Sequence, residues 1–390
     1  MTAPDATEVA LRWVLSLRSG TSCSDRLENG AIPIMGAAGP IGRTSKANTR
    51  SGSILIGRVG TVGAVNLAHG SCWASDNVII ATPGPTLENR YTYYLLLSAR
   101  LPELASKTAQ PLLTASAVAG LRFSIPSRQE QRRIVDFLDG ETSRIDELTS
   151  KRSRQIELLQ ESTHSLITER LHRAAGQHVR IKHLSTRITS GPRGWGELTS
   201  DTGSLFLRIT NIPRHGISLD LRDSLYVAAP DGAERERSRT QLDDVLVSIT
   251  ADIGSVALVD ERGIDGNISQ HVALIRPRKE ICDGRWLSYA LKSARSSQEL
   301  GTASYGGTKA GLGLSDIADL TIPTPDLSDQ RSIASEISRS LAHRDSLSAG
   351  MKAQCTLLNE RRQALITAAV TGQFDVTTAS GRNVTDGVTA

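Results

Sequence analysis

Cysteine is nearly missing from this 390-residue chain. The four present, Cys23, Cys72, Cys282 and Cys355, stand far apart with no Cys-x-x-Cys pair. Reduced cytoplasmic thiols are therefore expected, and a cysteine metal site is not. No apolar run approaches the roughly 18 residues of a membrane span. Met1 to Ala10 has neither the basic start nor the apolar centre of a signal peptide, so a cytoplasmic location is expected. Excess charge is also missing: 45 basic and 41 acidic residues leave a net charge of +4. That excess lies in residues 1–126, which carry 11 basic and 7 acidic side chains. Such a balance argues against nucleic-acid binding by bulk electrostatics, but not against locally placed arginines.

Catalytic signatures are missing as well. No Gly-x-x-x-x-Gly-Lys phosphate loop occurs, and the nearest stretch, Gly301 to Lys309, lacks the Gly-Lys step. No lysine has an acid two positions before it, which removes the common metal-nuclease pattern. There is no Asn-Pro-Pro or Asp-Pro-Pro step for amino methylation, no Gly-x-Ser-x-Gly elbow, and no His-x-x-x-His or His-Glu-x-x-His group. His164 and His172 lie two helical turns apart on a polar face, a solvated arrangement rather than a metal pair. Gly36-Gly39-Gly42 and Gly57-Gly60-Gly63 do not lead from a strand into a helix and read as turns. The chain shows no enzyme active site, and no cofactor of its own is expected.

What the chain does have is a copy of itself. Gln131-Arg132 matches Gln330-Arg331, Ile134 matches Ile333, Leu158-Leu159 matches Leu357-Leu358, and Leu166-Ile167-Thr168 matches Leu365-Ile366-Thr367. Upstream the register drifts slightly, with Ile54-Leu55-Ile56 pairing with Val245-Leu246-Val247. Two copies are too few for a solenoid, so a pseudo-twofold molecule follows.

Residues 127–172 read as one long helix. Ser127 and Glu130 have capping-box spacing, echoed by Asp326 and Asp329. An apolar stripe at alternating four- and three-residue steps runs through Ile134, Leu138, Ile145, Leu148, Leu159 and Leu166. Its partner runs through Ile333, Ile337, Leu347, Met351, Leu358 and Leu365. Arg152 and Arg344 interrupt the two stripes, their stems expected along the seam. Neither helix can bury its stripe alone, so the two are expected to pair, antiparallel, as a coiled coil. Residues 1–126 and 177–323 differ in kind: short β-runs separated by glycine-rich turns, with one short helix in each copy. They read as two mixed α/β globules, giving an α+β protein. The tail from Val376 to Ala390 is polar and reads as disordered.

The repeat resembles the specificity subunit of Type I restriction–modification systems over essentially the whole chain. The residues carrying the likeness are Ile125-Pro126, then Glu130 to Asp139, Thr142, Ile145-Asp146 and Leu148, with an echo in Ile322-Pro323 and Asp329 to Ile333. Ser53 to Gly63, Asp244 to Ser248 with Ile253-Gly254, and Gly306 to Leu312 add to it. One departure is Asp243-Asp244, where the family has Gly-Asp. The resemblance implies target-recognition domains at 1–126 and 176–323, helical spacers at 127–175 and 324–375, and a tail at 376–390. Each domain would read half of an asymmetric, bipartite double-stranded DNA target, while the helices set the gap. Two methyltransferase (modification) subunits would dock on the helices through Ile134, Leu138, Ile145, Leu159, Ile333, Ile337, Leu347 and Leu358. Motor–nuclease subunits would join them, and S-adenosylmethionine, ATP and Mg would belong to those partners.

Base readers are expected among polar loop residues. In the first domain these are Arg43, Lys46, Arg58, Asn77, Lys107 and Gln110. In the second they are Ser190, Arg193, Arg208, Asn211, Gln270, Tyr305 and Lys309. Each can equally be a turn or surface polar group, and Trp195 can stack on DNA or anchor its loop. Two other functions stay open. A coiled-coil scaffold without base readout fits the weak charge and the few aromatics (four Trp, six Tyr, four Phe). The other is a recognition module of a fused restriction–methylation enzyme, which a single fused partner among the genomic neighbours would mark.

Overall fold

The computed structural model describes residues 8–107, 109–173, 176–214, 216–293, 311–373 and 375–376, without the side chains of His164 and His172. Of the expected tail only Val376 is described, and it packs against the first unit's core; residues 377–390, Tyr305 and Lys309 lie outside the described residues. The chain divides into two compact units, Met1–Arg152 with Ala353–Ala390, and Ser153–Lys352. Two long helices, Arg128–His172 and Leu327–Val370, carry the chain from the first unit into the second and back again.

In the first unit a four-stranded antiparallel sheet has the order Leu15–Ser19, Val78–Pro83, Ile54–Gly57, Val65–Leu67. Successive strand residues face opposite sides. The unbroken apolar run Val78 to Ala81 therefore feeds two cores. Ile79 and Ala81 join Ile54 and Ile56 under the short helix Asn89–Ser98, while Val78 and Ile80 join Leu55, Cys72 and Ala74 on the other face. The second unit repeats the sheet order with Ser185–Ser190, Val272–Pro277, Val245–Ser248 and Val256–Leu258. Its short helix is Gly284–Lys292. Ahead of the hairpin in each main sheet the backbone turns left-handed, at Gly52 (φ +80) in the first unit and at Asp243 (φ +71) in the second. The Asp243 departure is thus a non-glycine in a conformation that aspartate tolerates better than most side chains.

Each short helix is tied to the start of a long helix by a fully buried glutamine. Gln131 accepts the Glu88 N–H at 2.7 Å and donates to the carbonyls of Thr86 and Pro126, both at 3.0 Å. Gln330 does the same in the second unit, accepting from Asp283 at 2.9 Å and donating to Ile281 at 3.0 Å and Pro325 at 2.8 Å. The residues that donate their N–H groups to these glutamines, Glu88 and Asp283, are also the N-caps of the short helices. About two turns further along the long helices, Tyr94 donates to Asp139 at 2.6 Å, and Tyr289 meets Ser338 at 2.9 Å. At the start of the first long helix, the Ser127 hydroxyl accepts the Glu130 N–H at 3.3 Å, the forward half of a capping box.

The apolar stripes are not evenly covered. In the first unit Ile134, Leu138 and Ile145 pack with Leu365, Ile366 and Val370, while Leu148 is 49% exposed. In the second, Ile167 and Leu171 pack with Ala334, Ile337, Leu341 and the fully buried Trp286, while Leu347 is 42% exposed. Ion pairs join the helices within each unit: Arg362 with Asp146 at 3.3 Å, and Arg170 with Glu336 at 2.5 Å. The globular cores cover the helix ends and leave the central leucines to solvent. Arg344 is half-buried, as expected for a stem on the seam, and its Nη1 has no hydrogen-bond partner among the described residues.

All four cysteines are free. Among the described residues no helix is long and apolar enough to cross a membrane, and no group of three ligating side chains could hold a metal ion.

Lys292 closes the short helix of the second unit from inside. Its ammonium donates to the carbonyls of Pro213 at 3.1 Å and Arg214 at 2.9 Å, and burial lowers its pKa from 10.5 to about 8. A buried cation held below its unfolded pKa weakens the fold while it is charged. Stability therefore rises as the pH climbs from 8 to 10.5, where only the unfolded chain still binds the proton. In Lys292→Met this contribution is gone. Relative to wild type, the variant is expected to be more stable at pH 7 than at pH 10.5, by a difference on the order of 3 kcal/mol. Denaturant titrations of both proteins at the two pH values measure it, and a pH-independent difference contradicts the assignment.

Candidate nucleic-acid interface

Glycine-rich turns carry the polar loops, and the first of them shows why glycine is needed. A Cβ on Gly57 would lie 2.1 Å from the Thr61 carbonyl oxygen, and Gly63, at φ +77, packs against Pro102. The turn closes through Gly63 N–H to the Gly57 carbonyl at 2.8 Å. Just after it, the Arg58 N–H donates to Asn77 at 2.9 Å, and the Arg58 carbonyl receives Leu113 at 3.0 Å. The segment ending at Leu113 is itself pinched by Ser106 N–H to the Leu112 carbonyl at 3.0 Å. Lys107 and Gln110 are exposed inside that pinch. Four of the six first-domain candidates are thus gathered on one junction: Arg58, Asn77, Lys107 and Gln110.

The other two are placed elsewhere. Arg43 lies on the strand Gly39–Thr44 of a small three-stranded sheet, its guanidinium bonded to the carbonyls of Gly30 and Ala31. Lys46 follows it, 3.8 Å from Asp25.

The second unit repeats three of these junction bonds among the described residues. Gly254 N–H reaches the Ser248 carbonyl at 3.0 Å, Ile249 N–H reaches His271 at 3.1 Å, and Leu312 N–H reaches Ile249 at 2.8 Å. The side chains differ: Ile249 stands in the column of Arg58, and His271 in that of Asn77. Next to the junction, the strand Ser204–Leu207 runs parallel to Asn267–Ile268, and the Ser269 N–H donates to Leu207 at 2.9 Å.

Here a cleft of about 410 Å³ opens, walled by Pro192, Trp195, Phe206 and Ile209 and edged by Arg208, Ser269, Gln270 and His271. Trp195 is only 5% exposed and packs with Phe206 and Val227, so it anchors its loop while forming the cleft wall. Gln270 and His271 contact each other at 2.9 Å, and Thr250 meets the other ring nitrogen at 3.1 Å. The Arg208 guanidinium is steadied by the carbonyl and carboxylate of Asp223 at 3.1 and 3.2 Å. Arg193 is exposed in the loop beside Pro192 and Gly194, and Ser190 is half-buried at the end of its strand.

Asn211, expected among the base readers, is 1% exposed. Its amide donates to Asp220 at 2.9 Å and Asp223 at 3.3 Å and accepts the Arg208 N–H at 2.9 Å, so it fastens the loop from within. Ser269 and His271 were not anticipated. The signal for them was the repeat, because Ser75-Asp76-Asn77 precedes Val78 as Ser269-Gln270-His271 precedes Val272. Of the residues expected to dock partners, Ile134, Leu138, Ile145 and Ile337 lie inside their units' cores. Leu159, Ile333 and Leu358 are half-buried, and Leu347 is exposed.

A family model described as the Type I restriction modification DNA specificity domain matches residues 9–158 and again 233–355. Two relatives from Escherichia coli are similar in sequence. The Type I restriction enzyme EcoBI specificity subunit is 25% identical over 156 residues, and the EcoprrI specificity subunit 27% over 133. These alignments cover 40% and 32% of this chain and span only about a third of each relative's length, 33% in both cases. Among solved structures, a chain from work on complex assembly and conformational transition of the type I R-M system superposes with a TM-score of 0.73. It is 18% identical, with 95% of this chain and 99% of that one covered. The HsdS subunit from Thermoanaerobacter tengcongensis gives a TM-score of 0.51 at 18% identity, with coverages of 95% and 98%.

Proposed function

Because the chain belongs to the Type I restriction modification DNA specificity family, we propose that it chooses the DNA sequence on which a modification–restriction complex acts, without catalysing the reaction itself. Each unit reads one half of a bipartite double-stranded target. The observation that carries this reading is the junction built twice with the same backbone bonds and different side chains, Arg58 and Asn77 in one unit, Ile249 and His271 in the other. A constant frame with variable tips is what sequence choice requires, since phosphate contacts position a protein and base edges specify the site. Unequal tips imply unequal half-sites.

The partners of this reading are two modification subunits, which supply S-adenosylmethionine chemistry, and motor–nuclease subunits, which use ATP and Mg. The complex is cytoplasmic. The sequence-derived division into recognition domains at 1–126 and 176–323, spacers at 127–175 and 324–375 and a tail at 376–390 is kept as its functional map. The exposed Leu347, with the half-buried Leu159, Ile333 and Leu358, remain candidates for docking.

Co-expression with the neighbouring modification subunit in an unmethylated host, followed by genome-wide mapping of methyladenine, tests the reading. A split motif with a fixed central gap is expected. Methylation without a split motif, or none from a complex shown to assemble, moves the chain to the scaffold role.

A further inference from the structure

Two residues that line this cleft each carry a buried polar atom without a hydrogen-bond partner among the described residues: Arg208 Nε and Ser269 Oγ. Their closeness follows from register. Phe206 pairs with Asn267 and Leu207 with Ile268 in parallel strands, so Arg208 and Ser269 are the next pair along, with Ser269 N–H bound to the Leu207 carbonyl. Asp223 holds the guanidinium through Nη2 with its carbonyl and its carboxylate, which fixes the plane of the fork. The walls are apolar, from Trp195, Phe206 and Ile209. A buried donor without an acceptor is unfavourable and persists where something else satisfies it. An occupant that presents neighbouring acceptors at one edge would satisfy both residues.

We propose that this cleft reads one base pair of the second half-site, and that Arg208 and Ser269 together recognise a base edge with two neighbouring acceptors. Guanine has that edge in the major groove, with O6 and N7, and adenine and the pyrimidines do not. The proposal rests on the bipartite reading above and names the residues that set one position of it. The first unit has no counterpart. There the equivalent parallel pair is Ile34 with Trp73 and Met35 with Ala74, Ser75 N–H binds the Met35 carbonyl, and the column of Arg208 holds Gly36. The recognised base therefore belongs to the second half-site alone.

The test uses the full chain co-expressed with its modification subunit and a duplex library carrying every single-base change of the target that the wild-type complex selects. Arg208→Lys keeps the charge but loses the planar fork. Ser269→Ala loses only a hydroxyl, so one of the two variants stays informative even if the other folds poorly. In each, discrimination at one guanine position of the second half-site is expected to fall roughly tenfold or more, while every position of the first half-site is unchanged. If methylation weakens evenly across all sequences, the two residues touch phosphate only and the proposal is overturned. Unchanged discrimination overturns it equally. A wild-type complex that selects no split target removes the bipartite reading itself, a failure visible before any variant is made.

Discussion

Gln131→Leu is expected to destabilise the first unit by about 3 kcal/mol, and Gln330→Leu the second by a similar amount. Leucine nearly matches the volume of glutamine, so little of the loss comes from a cavity. It comes from hydrogen bonds. Each amide makes three, and each removal strips one N–H and two carbonyls of their partner at the point where a short helix, a strand end and a long helix converge. Gln330 is the harsher case, since the carbonyl it shares with Pro325 is buried. Because the two glutamines serve separate units, the effects should separate too. Hydrogen exchange at the Glu88 amide should accelerate in the first variant and at the Asp283 amide in the second. A loss below about 1 kcal/mol in both, within the range of a single ordinary hydrogen bond, would show the clasp to be dispensable.

Asp244→Ala should be the most damaging single change within the second unit's main sheet, at about 3–5 kcal/mol. Asp244 is 1% exposed and holds Arg276 through both oxygens, at 2.9 and 2.7 Å, while accepting the Gln241 N–H at 2.7 Å. Burial raises its carboxyl pKa, against the pull of Arg276. The carboxylate is therefore a weak contributor on its own, and the expected damage is the guanidinium left behind, whose side chain is 15% exposed. A double-mutant cycle separates the two contributions. Asp244→Leu with Arg276→Met should recover most of the loss, because an apolar pair no longer strands a charge. If the double variant is as unstable as Asp244→Ala, the sheet needs the carboxylate for Gln241 and not for the arginine.

The long helices were legible because their signal is long. A stripe repeated at a fixed 199-residue offset leaves little room for another reading. The clasp was visible only in outline: Gln131 and Gln330 stood in matching columns, but nothing local says that a glutamine points inward to backbone groups. The stripes misled about exposure for a related reason. Ile145 and Leu148 look alike in a heptad, yet one lies under a globular core and the other does not. At the candidate site, Arg58 was readable as a polar residue inside a glycine-rich turn and Asn77 as the polar start of a β-run. Asn211 was not, because the amide that could read adenine is equally suited to closing a loop on Asp220 and Asp223. Ser269 and His271 were recoverable from the repeat but only by comparing columns where the side chains differ.

The crossing of the chain from one unit to the other and back has a consequence for synthesis. Ile134, Leu138 and Ile145 leave the ribosome long before Leu365, Ile366 and Val370, their partners in the first unit's core. More than two hundred residues separate the two sets, which at about 5–20 residues per second leaves the earlier stripe uncovered for roughly 10–45 seconds. The second unit, one continuous stretch from Ser153 to Lys352, is complete in the interval. The last-made helix thus closes the first-made domain, and a nascent chain stalled before Leu365 carries an open apolar seam that chaperones or another copy of the chain can occupy.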